Sequence, residues 1–531
     1  MGNGLTNYTE FKKNFSESSY YEGYKAIRNK LRKYNPDVIL DRCFEYLRAP
    51  HRDRLEYVKR HPWLIFLLVK WTLLDDDALT VGRPPPNNKQ FVALLNEARA
   101  LEDRVRMPSE FEDLTLFLRS MAYQQFLYQR RASPVVVGRQ MLYFAGLSDE
   151  HYIAKTFLSL TGMHLRSFLL LSQALVVAFV NEPKKRFIDE SWFSPMSSGF
   201  AVDEVKRFLS LFATTRLEMR QTLRALDASI RESGVQPRNA SEYFEQSPFL
   251  ERPLMRRHKA YECVDVHLLD ACVGRFVYKH MREHDKGTFM GHFGPLFEEY
   301  VRRAIVHMKL PFRQEKELAD LVRTKQKPSL IDFVVYDRDC RIFIDAKAVE
   351  MHYRSKVTHS MEELAKGLDS SLIKAIKQAH STRRVLAELG IDGDGTADSN
   401  DFLVVVTESE LYIANGVVLA SAVGKQTLDE LLHGNKSYPP VPLDRMYFLN
   451  IQEFERLAAA INGGMFGFAE ALHRAREADL HPKTRKMVFD QHLDEWGVKK
   501  IAPDYVIAET TNALKMLASL VEEHAIDQYC L

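Results

Sequence analysis

Apolar residues recur at three- and four-residue steps through most of the first 285 residues of the chain. This spacing places apolar side chains along one face of a helix. The clearest runs are Val38–Leu47, Phe91–Leu101, Phe111–Tyr128, Ala154–Val180 and Val205–Leu226. The pattern therefore predicts a mainly α-helical N-terminal region over residues 1–285, built as one or two subdomains.

The pattern changes after residue 285. Gly287 and Gly291 interrupt the helical spacing, and Gly294-Pro295 is typical of a helix start, with glycine as the cap and proline in the first turn. Strand-like runs follow, and a helix over 361–389 is predicted between the third and fourth of them. The runs are Phe312–Glu315, Leu330–Tyr336, Arg341–Val349, Phe402–Thr407, Tyr412–Val418 and Met446–Leu449.

These elements predict a multidomain protein, in which the helical region precedes an α/β domain over residues 286–455. A helical C-terminal tail over residues 456–531 is expected to pack on the α/β domain. The length of 531 residues also indicates more than one domain, because it exceeds what one hydrophobic core supports. The net charge is only +2, so any surface for nucleic acid must be a local patch.

Cysteine usage and hydropathy bear on the compartment. The five cysteines are odd in number and have no C-x-x-C spacing, which argues against a disulfide framework or a zinc ribbon. The longest apolar stretches, Trp63–Leu74 and Phe157–Val180, contain Lys70 and Arg166, so they favour buried helices over membrane spans. The N-terminus is polar and has no secretory signal pattern. We therefore predict a cytoplasmic protein without membrane association.

The segment around residues 329–348 predicts a β-hairpin. Two strand-like runs flank the polar pair Arg338-Asp339. If that pair is a two-residue turn, counting back along both strands places Asp332 directly opposite Asp345. Lys347 lies two residues beyond Asp345 and therefore points to the same face. The other face is entirely apolar: Ile331, Phe333, Val335, Ile342, Ile344, Ala346 and Ala348.

Two opposed carboxylates in an apolar sheet repel each other, which is costly unless a cation compensates. Carboxylate oxygens are the ligands that Mg²⁺ prefers, and Mn²⁺ is a possible substitute. The nearby Lys347 can hold a phosphate oxygen and help to activate a water molecule. Asp332, Asp345 and Lys347 are therefore predicted to form a metal-dependent centre for phosphodiester hydrolysis.

This pattern resembles the PD-(D/E)XK nuclease superfamily, which has the restriction-endonuclease-like fold. Ile331-Asp332 and Asp345-Ala346-Lys347 stand for the two halves of its signature, with Ile in place of Pro and Asp in place of Glu. The superfamily often places a metal-contacting Glu in a helix with the pattern Gly-x-x-Phe-Glu. Gly294–Glu298 matches this pattern, which makes Glu298 a better candidate than Glu299. The helix after the hairpin often adds a polar residue, and Gln378 fits that role.

The resemblance, which covers roughly residues 290–455, implies a metal-dependent nuclease acting on nucleic acid, with DNA favoured over RNA. It implies the catalytic residues Asp332, Asp345, Lys347, Glu298 and Gln378, of which Asp332, Asp345 and Glu298 bind Mg²⁺. The phrase Ser247–Pro253 looks like large bacterial members of the superfamily, several of which act in defence against phage. By resemblance alone, residues 1–285 would be a sensing or regulatory region, with a phage protein as trigger and a homodimer as a possible assembly.

Three alternatives stay open at this level. Asp332 and Lys347 can form a structural ion pair at the end of a sheet, since short motifs often occur by chance. The chain can also be a nucleic-acid-binding or sensing protein with a dormant nuclease fold. Binding of DNA or RNA without cleavage would favour this alternative. In a third alternative the protein is a helical scaffold, whose biological activity would survive loss of the acidic residues.

Overall fold

The computed structural model describes most of the chain. It covers residues 17–75, 82–105, 111–130, 132–182, 185–232, 234–322, 328–351, 353–357, 360–391, 400–424, 426, 428 and 440–529. The fold is mostly helical, with one four-stranded and one five-stranded sheet among these residues. Two compact units are present: unit 1 contains Met1–Ser109, Ser120–Glu283 and Thr510–Leu531, and unit 2 contains Glu110–Arg119 and His284–Glu509.

The helical character of the N-terminal region agrees with the sequence pattern. The helices of this region are α1 (Glu17–Leu31), α2 (Pro36–Arg48), α3 (Arg54–Val58), α4 (Pro62–Leu74), α5 (Asn88–Arg99), α6 (Phe111–Gln125), α7 (Val135–Phe144), α8 (Tyr152–Thr161), α9 (Leu165–Val180), α10 (Val202–Phe212), α11 (Arg216–Glu232) and α12 (Val266–His284). The apolar run Ala154–Val180 is divided between α8 and α9. The division falls at Gly162, whose positive φ of 68° ends α8.

Unit 1 also contains a sheet that the sequence did not predict. Its strands are β1 (Phe187–Ile188), β2 (Ala213–Thr214), β3 (Leu254–Arg257) and β4 (Ala260–Cys263), in the order β1-β4-β3-β2. The region is mainly α-helical as predicted, but these four short strands were missed. Strands of two to four residues are too short to show the alternation of apolar and polar positions that identifies a strand.

The remaining elements follow in chain order. The helices are α13 (Lys286–Met308), α14 (Glu315–Leu321), α15 (Tyr353–Lys356), α16 (Met361–Leu368), α17 (Lys374–Glu388), α18 (Gly416–Val423), α19 (Ile451–Asn462), α20 (Phe468–Asp479), α21 (Phe489–Glu495) and α22 (Asp504–Tyr529). A π-helical turn, Asp369–Ile373, joins α16 to α17, so the helix predicted over 361–389 is present in three consecutive parts. The strands are β5 (Phe312–Gln314), β6 (Phe333–Asp337), β7 (Cys340–Lys347), β8 (Phe402–Thr407) and β9 (Met446–Asn450).

The five-stranded sheet has the order β5-β6-β7-β8-β9. Strands β5, β6 and β7 are antiparallel neighbours, whereas β7, β8 and β9 run parallel. In the hairpin, Asp337 pairs with Cys340 and Phe333 pairs with Ile344. This register confirms the two-residue turn at Arg338-Asp339, in which Arg338 has a φ of 58°.

Two predicted elements of unit 2 are wrong. Helix α13 does not start at Gly294-Pro295 but at Lys286, because the Asp285 carboxylate caps it by accepting a hydrogen bond from the Thr288 N–H at 3.0 Å. Pro295 consequently lies inside the helix. The stretch Tyr412–Val418 is not a strand, since Asn415 caps α18 through the Val418 N–H at 2.9 Å.

The sheet of unit 2 is covered on both faces. Phe333 and Ile344 point to one face and are fully buried. The opposite face joins a buried cluster with the helices that follow the hairpin, and this cluster includes Val334, Phe343, Val405, Leu364, Leu372 and Ile376. Strand β7 lies between β6 and β8, so a polar side chain at its centre is removed from solvent.

The longest apolar stretches and the cysteines agree with the sequence analysis. Helix α4 is almost wholly buried. Among the described helices, none is by itself long and apolar enough to cross a membrane, and α8 with α9 reach that criterion only as a pair bent by 65°. The cysteines at positions 43, 263, 272 and 340 are buried free thiols, and Cys530 lies outside the described residues.

Candidate active site

Asp332 and Asp345 are brought together where β6 begins. Asp332 lies one residue before β6, and its Oδ2 accepts a hydrogen bond from the Ala346 N–H at 2.7 Å. Asp345 follows Ile344, the partner of Phe333, so it lies opposite Asp332 as the register predicts. Asp345 is fully buried and Asp332 is 9% exposed. Both carboxylates are therefore largely removed from solvent, and the small exposed fraction belongs to Asp332.

In this buried environment, ionising both Asp332 and Asp345 at once is unfavourable. Burial, followed by the charge of Asp332, raises the pKa of Asp345 to about 7. Burial also raises the pKa of Asp332. Because the groups interact strongly, their protons belong to the pair. Oδ1 of Asp345 has no hydrogen-bond partner, whereas Oδ2 is in ion contact with the Lys347 ammonium group.

Lys347 is held between the carboxylates and the following helix. Its Nζ contacts Asp345 Oδ2 and donates a hydrogen bond to Gln378 Oε1 at 3.0 Å. Gln378, on α17, donates from Nε2 to the Leu330 carbonyl oxygen at 2.7 Å. The amide of Gln378 therefore connects α17 to the start of the hairpin and fixes the position of the ammonium group.

Glu298 lies within electrostatic reach of the pair. Partial burial, then the charges of Asp332, Glu315 and Glu299, raises its pKa to about 7, and Lys347 opposes this increase. Its neighbour Glu299 instead receives two hydrogen bonds from Arg302, at 2.6 and 2.7 Å. The two glutamates therefore differ in their surroundings: Glu298 is influenced by the charge of Asp332, whereas Glu299 pairs with Arg302.

Glu315 is a neighbour of the site that the sequence analysis did not identify. It is the first residue of α14, and its N–H donates to the Asp332 carbonyl oxygen at 2.8 Å. Partial burial and the charge of Asp332 raise the pKa of Glu315, whereas Lys347 and Lys374 lower it. The only signal in the sequence is an acidic residue directly after a strand, which is too common to predict a site.

The donor atoms at this position fit a hard divalent cation. Asp345 presents a buried Oδ1 without a hydrogen-bond partner and an Oδ2 in contact with Lys347, and Asp332 adds a second carboxylate. Among the described residues, no three or more His, Cys, Asp or Glu side chains already form a metal-ligand arrangement. Mg²⁺ does not need one, because it keeps several waters and is often held by one or two carboxylates.

The chain was also compared with known proteins. No model of a protein family, no curated protein and no solved structure matches it. Support for a function therefore comes from the side chains of this chain.

Proposed function

We propose that this protein is a metal-dependent nuclease that hydrolyses phosphodiester bonds of nucleic acid with Mg²⁺, for which Mn²⁺ can substitute. One observation carries the proposal. Asp332 and Asp345 face each other at the start of a hairpin, where burial raises the pKa of both and the charge of Asp332 raises the pKa of Asp345 further, and the Lys347 ammonium group contacts Asp345. A purely structural ion pair needs one carboxylate, not two that repel.

The order of elements supports a restriction-endonuclease-like domain in unit 2. Helix α13 precedes an antiparallel β5-β6-β7 arrangement, helices α16 and α17 follow, and β8 and β9 add in parallel to β7. This succession is the one that the resemblance implies for residues 290–455. Because β6 and β7 are antiparallel, the start of β6 lies beside the end of β7, and the acidic residues meet at this end of the hairpin.

Asp332 and Asp345 would hold the metal, with Glu298 alongside them. When bound, the metal polarises the phosphate group and lowers the pKa of a coordinated water. Lys347 is fixed by Gln378, so its ammonium group can donate a hydrogen bond to a non-bridging phosphate oxygen. The Glu298 carboxylate, whose pKa is about 7 without metal, would lose its proton on binding the metal and so add a further oxygen ligand.

The substrate and the biology are part of the proposal and depend on the resemblance. DNA is favoured over RNA, and the biological setting is defence against phage in the bacterial cytoplasm. Residues 1–285 would then sense a trigger, for which a phage protein is the expected class, and restrain the nuclease until it arrives. Of residues 456–531, the part up to Glu509 belongs to unit 2 and is the helical extension of the nuclease domain in this proposal, whereas Thr510–Leu531 belongs to unit 1. A homodimer is the assembly to test.

Cleavage assays on defined substrates test the proposed activity. Purified protein is incubated with supercoiled plasmid, linear duplex DNA, single-stranded DNA and RNA in Mg²⁺, Mn²⁺ or chelator. Cleavage of at least one substrate in metal, and its loss in chelator, is expected, with Asp332→Asn as the inactive comparison. Nucleic-acid binding that persists in chelator, with no substrate cleaved in either metal, would instead favour a dormant nuclease fold.

The rate is expected to depend on pH and on Mg²⁺ together. Below about pH 7, Asp345 and Glu298 hold protons, and a protonated carboxyl group is a poor metal ligand. The rate should therefore fall as the pH decreases, with a midpoint that shifts to lower pH as the Mg²⁺ concentration increases. Initial rates between pH 5.5 and about 9 at several Mg²⁺ concentrations measure this. A midpoint independent of Mg²⁺ would contradict it.

Replacing Gln378 by leucine is expected to affect both activity and stability. Lys347 loses its hydrogen-bond acceptor, and the buried Leu330 carbonyl oxygen loses its donor. We expect the free energy of unfolding to decrease by about 1–3 kcal/mol, and cleavage to slow by about tenfold. Thermal unfolding and initial rates measure the two effects. Gln452→Leu, at an exposed glutamine of unit 2, is the matched control and should change neither.

A further inference from the structure

Unit 1 contains a cavity of about 1100 Å³. Its walls come from one face of α1, the end of α4, one face of α11 and the loop that follows α11, all of which belong to unit 1. Small-molecule sites commonly occupy roughly 300–1,000 Å³, so this cavity has room for a ligand of nucleotide size. The proposed nuclease site of unit 2 plays no part in it.

The wall of the cavity is cationic. Four arginines and two aspartates line it, so positive side chains exceed negative ones by two. Arg28 donates to Asp75 at 2.6 Å, and Arg238 donates to Asp227 at 2.6 Å. Within each pair, the aspartate neutralises the charge of its arginine. The excess charge therefore comes from the other two arginines.

Arg224 and Arg231 provide this excess charge. They lie seven residues apart on α11, a spacing that puts both guanidinium groups on one face of the helix, with Asp227 between them. Both side chains are exposed, and neither has an ion-pair partner within the part of the chain that the structure describes. Two unpaired guanidinium groups facing one cavity form a typical phosphate-binding arrangement, because the planar group donates two parallel hydrogen bonds to phosphate oxygens.

The floor of the cavity is rigid. Arg238 is 8% exposed and bridges Asp227 to the fully buried Glu242, to which it donates at 2.7 Å. Glu242 also forms an ion pair with Lys70 at 2.9 Å and accepts a hydrogen bond from the Trp71 indole N–H at 3.2 Å. The cavity is thus built before a ligand arrives, which lowers the cost of binding.

Two tyrosines add an aromatic wall. The Tyr21 ring is 44% exposed, and the mostly buried Tyr24 ring lies 6.0 Å from it, centroid to centroid. The Arg238 guanidinium group supports Tyr24 from 5.5 Å. An exposed aromatic ring beside unpaired arginines matches a ligand that joins a planar ring to phosphate, since bases stack on such rings.

We propose that this cavity binds a nucleotide, a small ligand whose phosphates contact Arg224 and Arg231 and whose base stacks on Tyr21. The site is distinct from the nuclease centre, and it would make unit 1 a ligand-binding unit.

Nucleotide titration of the full chain tests the proposal. Isothermal titration in chelator uses AMP, ADP, ATP and GTP as probes, with pyrophosphate as an anion without a ring and adenosine as a ring without a phosphate. At least one nucleotide should bind with a dissociation constant below about 1 mM, and more tightly than either partial probe. Arg224→Glu/Arg231→Glu should weaken this binding by about 10- to 100-fold.

The control variant Lys155→Glu/Lys206→Glu makes the same change in charge at two exposed lysines of unit 1 that do not line the cavity. Its affinity should equal that of the parent protein, and Tyr21→Ala should bind more weakly than Tyr21→Phe. Absence of binding for all nucleotides, equal affinity for pyrophosphate, or affinity unchanged in the arginine variant would overturn the proposal. Binding of a single-stranded oligonucleotide without any nucleotide binding would overturn it too. Because every titration is made in chelator, its outcome is independent of nuclease activity.

Discussion

Replacing Lys347 by alanine is expected to lower the rate of Mg²⁺-dependent cleavage by about 10²–10³-fold. The ammonium group is the cation of the site nearest to the carboxylate pair, and Gln378 holds it in place. Its removal leaves the developing negative charge of the phosphate group without this hydrogen-bond donor. Single-turnover cleavage of the best substrate at pH 8 measures the effect.

Two controls make this result specific. Lys366→Ala removes a lysine that is 75% exposed in the same unit, and it should cleave like the parent protein. Thermal unfolding in Mg²⁺ should show that the Lys347→Ala variant is folded. If this variant cleaves within about twofold of the parent rate, Lys347 is not part of the active site.

Replacing Asp345 by asparagine is expected to stabilise the metal-free protein at pH 8 and to abolish its stabilisation by Mg²⁺. The buried carboxylate opposes ionisation, as its pKa of about 7 shows. Removing its charge should raise the free energy of unfolding by ~1–4 kcal/mol. For a unit of this size, each kcal/mol corresponds to about 2–4 °C in the melting temperature.

The effect of pH on stability follows from the direction of this pKa shift. The pKa of Asp345 is higher in the folded state, about 7, than its ordinary value of 3.8. The stability that the protonated group provides is complete below the ordinary value and is lost as the pH rises through about 7. The advantage of Asp345→Asn over the parent protein should therefore widen from about pH 4 to about pH 7 and then stay constant.

Thermal unfolding of the parent protein and Asp345→Asn, in chelator and in Mg²⁺ at pH 5 and pH 8, measures both the change in stability and the effect of the metal. The parent protein should gain stability from Mg²⁺ at pH 8, whereas the Asp345→Asn variant should gain none. Asp320→Asn, at an exposed aspartate of unit 2, is the matched control and should keep the Mg²⁺ effect. If Asp345→Asn is less stable than the parent in chelator at pH 8, the Asp345 carboxylate is instead a stabilising ion-pair partner.

The hairpin could be predicted because its determinants are local. A polar two-residue turn between alternating runs fixes the register, and the register decides which side chains face each other. The pairing of Phe333 with Ile344 confirms it, and the placement of Asp332 opposite Asp345 follows directly. The full covering of the face that carries both carboxylates could not be predicted, because the cluster around Val334 and Phe343 also includes Leu116 and Leu419, which lie in segments distant in sequence from the hairpin.

Other elements depend on packing that the sequence pattern does not show. Helix α13 continues through Pro295 even though proline disrupts a helix interior. Phe289, Phe293 and Phe297 are fully buried along it, so tertiary packing outweighs the loss of one backbone hydrogen bond. Glu315 reaches the site through the pairing of β5 with β6, a contact between segments for which no short motif exists.

Divalent-metal binding tests the central claim most directly, because every proposed step in unit 2 depends on the Asp332–Asp345 pair. Isothermal titration with Mn²⁺ at pH 8 compares the parent protein with Asp332→Asn/Asp345→Asn. The parent should bind Mn²⁺, and the double variant should bind it more weakly by at least about tenfold. Equal affinity of the two proteins for Mn²⁺ would contradict the assignment of this carboxylate pair as a metal centre.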